Sequence, residues 1–180
     1  AQTPNASLTG MTGTVGSGVT GSPNLNLGNA TFPSGHILQV VSNGAKFSEK
    51  LTTTSQSYVE YSGTGTSVTI TPSSTSSKIL VTAIGLLVNS VYNKSIYIAL
   101  ARDSSSNIIF EAGTYRDSSD TVQRTFPNLS TLDSPNTVSA ITYKVYIKIA
   151  QASGSVIWGD DSVGGNGHNC TTITAMEIKG

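Results

Sequence analysis

The chain has 180 residues and a mass of 18.6 kDa, and its ten Lys+Arg balance its ten Asp+Glu. Charged residues make up 11% of it, under half the usual quarter or so, and 27 Ser and 24 Thr supply the missing polarity. A neutral chain gives no phosphate-binding footprint, and no apolar run nears the roughly 20 residues of a spanning helix. One cysteine, Cys170, excludes an intrachain disulfide framework and a multi-cysteine zinc site. No nucleic-acid partner, membrane insertion or cofactor is expected.

The chain divides near residue 35. Residues 1–35 carry few large apolar side chains and many glycines, among them Gly10, Gly13, Gly16, Gly18, Gly21, Gly28 and Gly35. Such a stretch cannot bury enough surface to offset its own ordering entropy, so it reads as a flexible tail or as an extended arm ordered by partners. Leu25 and Leu27 alternate with Asn24 and Asn26, a period of two that suits one short added strand. With Phe32 they are the expected assembly contacts of the arm.

From residue 36 to 180 the pattern is strand after strand. Ile37 to Val41 opens it; Ser57 to Tyr61 and Ser67 to Thr71 alternate, and Pro72 stops the latter because proline cannot donate to a ladder. Lys78 to Val88 (KILVTAIGLLV) is apolar on both faces and predicts a central strand that needs cover on both sides. The second sheet supplies one cover, and a neighbouring subunit is a candidate for the other. Ser95 to Leu100 and Asn107 to Glu111 follow. Residues 116–137 read as the longest irregular stretch. Ile141 to Ile149 alternates most cleanly, with Ile141, Tyr143, Val145, Ile147 and Ile149 on one face and Thr142, Lys144, Tyr146 and Lys148 on the other. Val156 to Trp158 and Thr171 to Ile178 complete about nine or ten strands. β-Branched residues dominate and no helical period runs over ten positions, so the fold class is all-β, an antiparallel β-sandwich or barrel.

Chemistry is sparse. There is no Gly-x-Ser-x-Gly elbow, and only His36 and His168 are available as a histidine base. His36, in PSGHI, reads as a turn or packing residue. His168 lies in the loop GDDSVGGNGHNC with Asp160, Asp161, Asn166 and Cys170. Oxygen ligands there suit Ca²⁺, but EF-hand spacing is absent; His168 and Cys170 alone are too few for a soft metal; a glycine-rich hairpin loop with solvated acids is the plainest reading. The sequence leaves metal occupancy open. Adjacent Asp160 and Asp161 would point to opposite faces of a strand, a poor start for paired-carboxylate hydrolysis, so no catalytic residue and no enzyme are expected. Carbohydrate binding needs flat aromatic faces beside polar side chains. Trp158 beside Asp160 and Asp161, Tyr115 beside Arg116 and Asp117, and His168 are the expected ligand contacts. The alternative for Trp158 is a core anchor with its indole N–H satisfied at a strand end.

The segments FPSGHILQVV (32–41), SVTITPSSTSSKILV (67–81), STLDSPNT with YKVYIKI (130–149) and TTITAMEIKG (171–180) resemble distal fibre or spike head domains of tailed bacteriophages, marine and cyanophage ones especially. The resemblance implies a jelly-roll or TNF/C1q-like sandwich with an N-terminal arm. It also implies a non-enzymatic virion protein, a homotrimer at the surface of the phage particle. Its arm would contact other virion proteins of tail or capsid, and its head would attach to a host-surface glycan. Lacking a long shaft, the chain also suits a capsid decoration or head-fibre protein. A secreted carbohydrate-binding module is the cellular alternative.

Overall fold

The computed structural model describes residues 32–46, 50–60, 66–90, 92–117, 123–151, 154–159 and 170–180. All elements among them are strands, and every pairing is antiparallel. The expected arm contacts Leu25 and Leu27 fall outside the described residues, as do Asp160, Asp161 and His168.

The first sheet orders β1 (Ile37–Lys46), β13 (Cys170–Ile178), β5 (Lys78–Ile84) and β10 (Asn128–Asp133). A second four-stranded sheet orders β2 (Lys50–Thr53), β12 (Val156–Gly159), β6 (Leu87–Asn89) and β9 (Gln123–Thr125). The two orders match place for place, because β1 and β2, β5 and β6, β9 and β10, and β12 and β13 are sequence neighbours. They are two halves of one bent sheet. The opposing sheet orders β3 (Val59–Glu60), β11 (Ile141–Ile149), β7 (Lys94–Arg102) and β8 (Ile108–Arg116), with β4 (Ser67–Ile70) also on β11. Counting each bent pair as one strand, and β3 with β4 as another, gives eight strands in sheets ordered 1-8-3-6 and 2-7-4-5. That is a jelly roll. The fold is therefore an antiparallel, all-β sandwich, and the order selects the jelly-roll member of the class.

Period-two alternation decides which residues meet between the sheets. On β11, Ile141, Tyr143, Val145, Ile147 and Ile149 are all buried; on β7, Ile96, Ile98 and Leu100 are; on β5, Ile79, Val81 and Ala83 are. With Leu129, Ile173, Ala175, Val156 and Trp158 they form one continuous core. Each such aliphatic side chain stabilises the sandwich by about 1.5–3 kcal/mol relative to exposure.

Two expectations are corrected. The run 78–88 is not one strand: it breaks at Gly85 and Leu86, between β5 and β6. The cause is Trp158, whose ring lies so close that a Cβ on Gly85 would sit 2.4 Å from its Cζ2. The stretch 116–137 is not irregular throughout, because it holds the end of β8, then β9 and β10. Leu129 of β10 is buried opposite Ala83, while Asn128 and Ser130 face outward and disguise the alternation.

One end of the sandwich is closed by a buried carboxylate. Glu177, on the inward face of β13, is fully buried. Its Oε1 accepts from the Ser73 N–H at 2.7 Å, Ser73 Oγ at 2.6 Å and Ser77 Oγ at 2.6 Å, and its Oε2 accepts from Gln39 Nε2 at 2.6 Å. Burial pushes its pKa up, but the donors of Ser73, Ser77 and Gln39 outweigh that and hold it below the ordinary glutamate value. Beside it, the Gly35 N–H donates to the Lys179 carbonyl and the Lys179 N–H to the His36 carbonyl, each at 2.8 Å. Phe32 stacks on His36 with ring centroids 4.5 Å apart, and Lys179 Nζ donates to the Phe32 carbonyl. The first described residues of the body are thus stitched to its last.

Candidate functional site

Register places the opposite end of the sandwich at Thr53, Val156, Asn89 and Gln123, which stand side by side across β2, β12, β6 and β9. Tyr115, at the end of β8, lies at this distal end. It is half-exposed, and its hydroxyl donates to Asn93 Oδ1. Asn93 holds a left-handed backbone (φ 55°) in the turn before β7, and its N–H donates to the Arg116 carbonyl at 2.8 Å. Asparagine is one of the few residues that adopts this conformation cheaply. Tyr92 beside it is 53% exposed. Lys94 Nζ donates to Gln151 Oε1, and Ser90 Oγ donates to the Ser155 carbonyl, so the rim is tied across strands. Two exposed tyrosines flanked by amide and hydroxyl groups are what an aromatic-stacking, hydrogen-bonding ligand requires.

The other expected contacts separate. Arg116 is buried and points inward, opposite to Tyr115; its Nη1 donates to the Ser90 carbonyl at 2.8 Å. Asp117 is exposed just past the strand end. Trp158 is buried in the core, as a core anchor would be, but the acceptor expected for its indole N–H is not found among the described residues. Phe32 stacks on His36 within the body. Cys170 begins β13. The rim residues Tyr92 and Asn93 were missed, although Asn93-Lys94 between two apolar runs is a turn signal.

The two outer faces of the sandwich differ in chemistry. On the β11-side sheet, Lys144 Nζ lies 2.8 Å from Glu60 Oε1, and Tyr146 OH donates to Glu60 Oε2 at 3.2 Å. Lys148 Nζ sits 4.2 Å above the Tyr58 ring and 5.0 Å from that of Tyr97, with Glu111 Oε2 3.8 Å away. Tyr58 OH donates to Glu111, and burial followed by that carboxylate raises the phenol pKa. On the other sheet, Val40, Met176, Leu80 and Leu132 stand in register across β1, β13, β5 and β10. A row of hydroxyls, Ser42, Thr174, Thr82 and Ser130, follows. Among residues 78–84, 128–133 and 171–178, Lys78 is the one charged side chain that faces this way.

Elsewhere the acids are engaged. Asp133 Oδ2 is 3.0 Å from Arg102 Nη1 and accepts from Tyr143 OH at 2.8 Å, bridging the two sheets. An apolar recess of about 210 Å³ is lined by Leu87, Ile98, Ala112, Thr114, Thr125 and Pro127. Among the described residues no three His, Cys, Asp or Glu side chains gather as a metal site would require.

No family model and no curated protein matches the chain. Among solved structures, it overlaps dimeric latent PorU from Porphyromonas gingivalis at 11% identity and TM-score 0.40, over 82% of this chain and 14% of that one. It overlaps the VP2 subviral particle of infectious bursal disease virus at 10% identity and TM-score 0.39, over 81% and 40%. T=1 particles derived from infectious bursal virus overlap at 10% identity and TM-score 0.41, over 88% and 40%. The chain spans well under two thirds of each of these proteins. Overlaps this loose carry no functional meaning.

Proposed function

We propose that the chain is a non-enzymatic virion protein, the head domain of a homotrimeric phage fibre or spike that attaches to a host-surface glycan. The supporting observation is the polarity of the body. The chain enters at Phe32, stitched to Lys179 at one end, while the exposed aromatics Tyr92 and Tyr115 stand with Asn93 and Asp117 at the other. An attachment head needs this arrangement: a tether on one end and a recognition rim on the far one. The engagement of Asp133, Glu177, Glu60 and Glu111 in structural contacts supports a body that binds rather than reacts. The jelly roll agrees with the expectation drawn from the fibre-like segments, and it is a fold found among viral capsid and lectin domains.

The test is binding of the purified full chain to a panel of bacterial surface polysaccharides. Wild type is expected to retain one or more of them. The double variant Tyr92→Ala, Tyr115→Ala is expected to lose about tenfold per ring, or about 1.4 kcal/mol each. Shortened sugar products, or binding unchanged in the double variant, would overturn the reading.

A further inference from the structure

We propose that the apolar recess between the edge strands β8 and β9 binds a small uncharged ring, aromatic or alicyclic, bearing at most one hydroxyl. The site is separate from the tyrosine rim and does not depend on it: Thr114 turns into the recess, while Tyr115 after it turns outward. The recess has a cause in the sequence. Phe110 and Ala112 stand on the inward side of β8 and pack toward the core. Ala112, in register with Ile98, offers a methyl group where Phe110 before it offers a ring. The sheets stay a sandwich's width apart at both positions, and an alanine cannot span that width. The recess that results measures about 210 Å³ and takes its walls from both sheets: Ile98, Ala112 and Thr114 on one side, Leu87, Thr125 and Pro127 on the other. Most of these walls are paired strands, so the shape is formed before a ligand arrives.

Volume and lining select the occupant. An apolar cavity of about 150 Å³ already takes up benzene, so this recess admits a six-membered ring with a small substituent. Among the described residues no charged side chain lines it. An ionised group would lose its water there and gain no partner. The polar side chains of the wall are Thr114 and Thr125. Each spends its proton on a long bond, Thr114 Oγ1 to Gln123 Oε1 at 3.3 Å and Thr125 Oγ1 to the Leu87 carbonyl at 3.5 Å. Their oxygens keep lone pairs for a donor, so a single ligand hydroxyl is accommodated. A sugar, with hydroxyls all round its ring, would leave most of them unpaired against hydrocarbon. A hydrocarbon ring instead gains dispersion contacts with both sheets at once and bridges them where β8 and β9 leave their edges unpaired.

The chain carries its own reporter. Trp158 is its one tryptophan, buried and in register with Leu87 of the recess wall. Titrating the full 180-residue chain with cyclohexanol is expected to change Trp158 emission, with saturation in about the millimolar range. The thermal midpoint is expected to rise as the cyclohexanol concentration grows. Cyclohexanecarboxylate, the same ring with a charge near neutral pH, is expected to do neither. Ala112→Leu, which extends a longer side chain into the recess, is expected to weaken cyclohexanol binding about tenfold or more while keeping its β-sheet circular dichroism. Thr114→Ile, which keeps a β-branched strand residue but narrows the recess and removes a hydroxyl, serves if Ala112→Leu fails to fold and is expected to weaken binding likewise. No saturable response in wild type, an equal response to the carboxylate, or undiminished binding in the folded variants overturns the proposal.

Discussion

The outer faces of the two sheets begin from the same alternation of strand residues and end in opposite chemistries. On β11 and its neighbours, each outward charge has a partner: Lys144 with Glu60, Lys148 with Glu111 and the rings of Tyr58 and Tyr97. On β5 and its neighbours the outward positions are Leu80, Thr82 and Ile84, with Met176 and Thr174 beside them, and no such pairs form among the described residues. The first face is finished in water. The second mixes hydrocarbon with hydroxyls. The lesson is that alternation sorts side chains by face but does not set the chemistry of the outer one: outward on β5 stand Lys78, Leu80, Thr82 and Ile84, a mixed set, while outward on β11 stand paired charges.

The comparison can be broken at the core that both faces share. Ile98→Ala, beneath the charged face, is expected to destabilise the chain by about 2–5 kcal/mol in chemical denaturation, because a buried isoleucine leaves a cavity that rigid strands cannot close. A cost below 1 kcal/mol would mean that the two sheets do not pack as described. The next effect is on the neutral sheet. Glu177→Gln is expected to cost about 1–3 kcal/mol near neutral pH, since its four donors lose a charged acceptor and one of them faces an N–H instead. The pH dependence has a definite sign. The folded pKa lies below the unfolded value of about 4.3, so the contribution of Glu177 is complete above that pH and is lost as pH falls through the folded value. Acid titration of stability should therefore show a steeper fall below about pH 4 in wild type than in Glu177→Gln; parallel curves would remove Glu177 from that role. The smallest effect belongs to the charged face. Lys148→Ala is expected to cost under about 1 kcal/mol, and less in high salt, because the pair and the ring contacts are half-exposed. A larger, salt-independent loss would show that this face is also desolvated.

Much of the fold was legible. The alternation of 141–149 predicts β11 to the residue and picks out its inward side chains, but Tyr146, expected to face out, is buried against Ala99 and Ala101. What was hidden depended on distant partners. Nothing in KILVTAIGLLV shows that Trp158, seventy-odd positions away, presses on Gly85 and breaks the strand. β10 was masked because two of its six side chains, Asn128 and Ser130, are polar and face outward, in a stretch rich in turn-forming residues. At the site, the trio 115–117 was read as one cluster, yet extending strand 107–111 by its own period would have turned Arg116 away from Tyr115. Tyr92 joins Tyr115 only through the turn at Asn93, a proximity that sequence spacing of more than twenty residues conceals.

The stitched end has a mechanical consequence. A tether leaving Phe32 and a load taken at the Tyr115 end would pull β1 along its own axis, against nine register pairs with β13 that run from Ile37 to Lys46. In that direction the ladder is strained in shear, all rungs together, rather than peeled open one at a time. The serine loop around Glu177 and the clasp at Lys179 guard the very point where peeling would otherwise start.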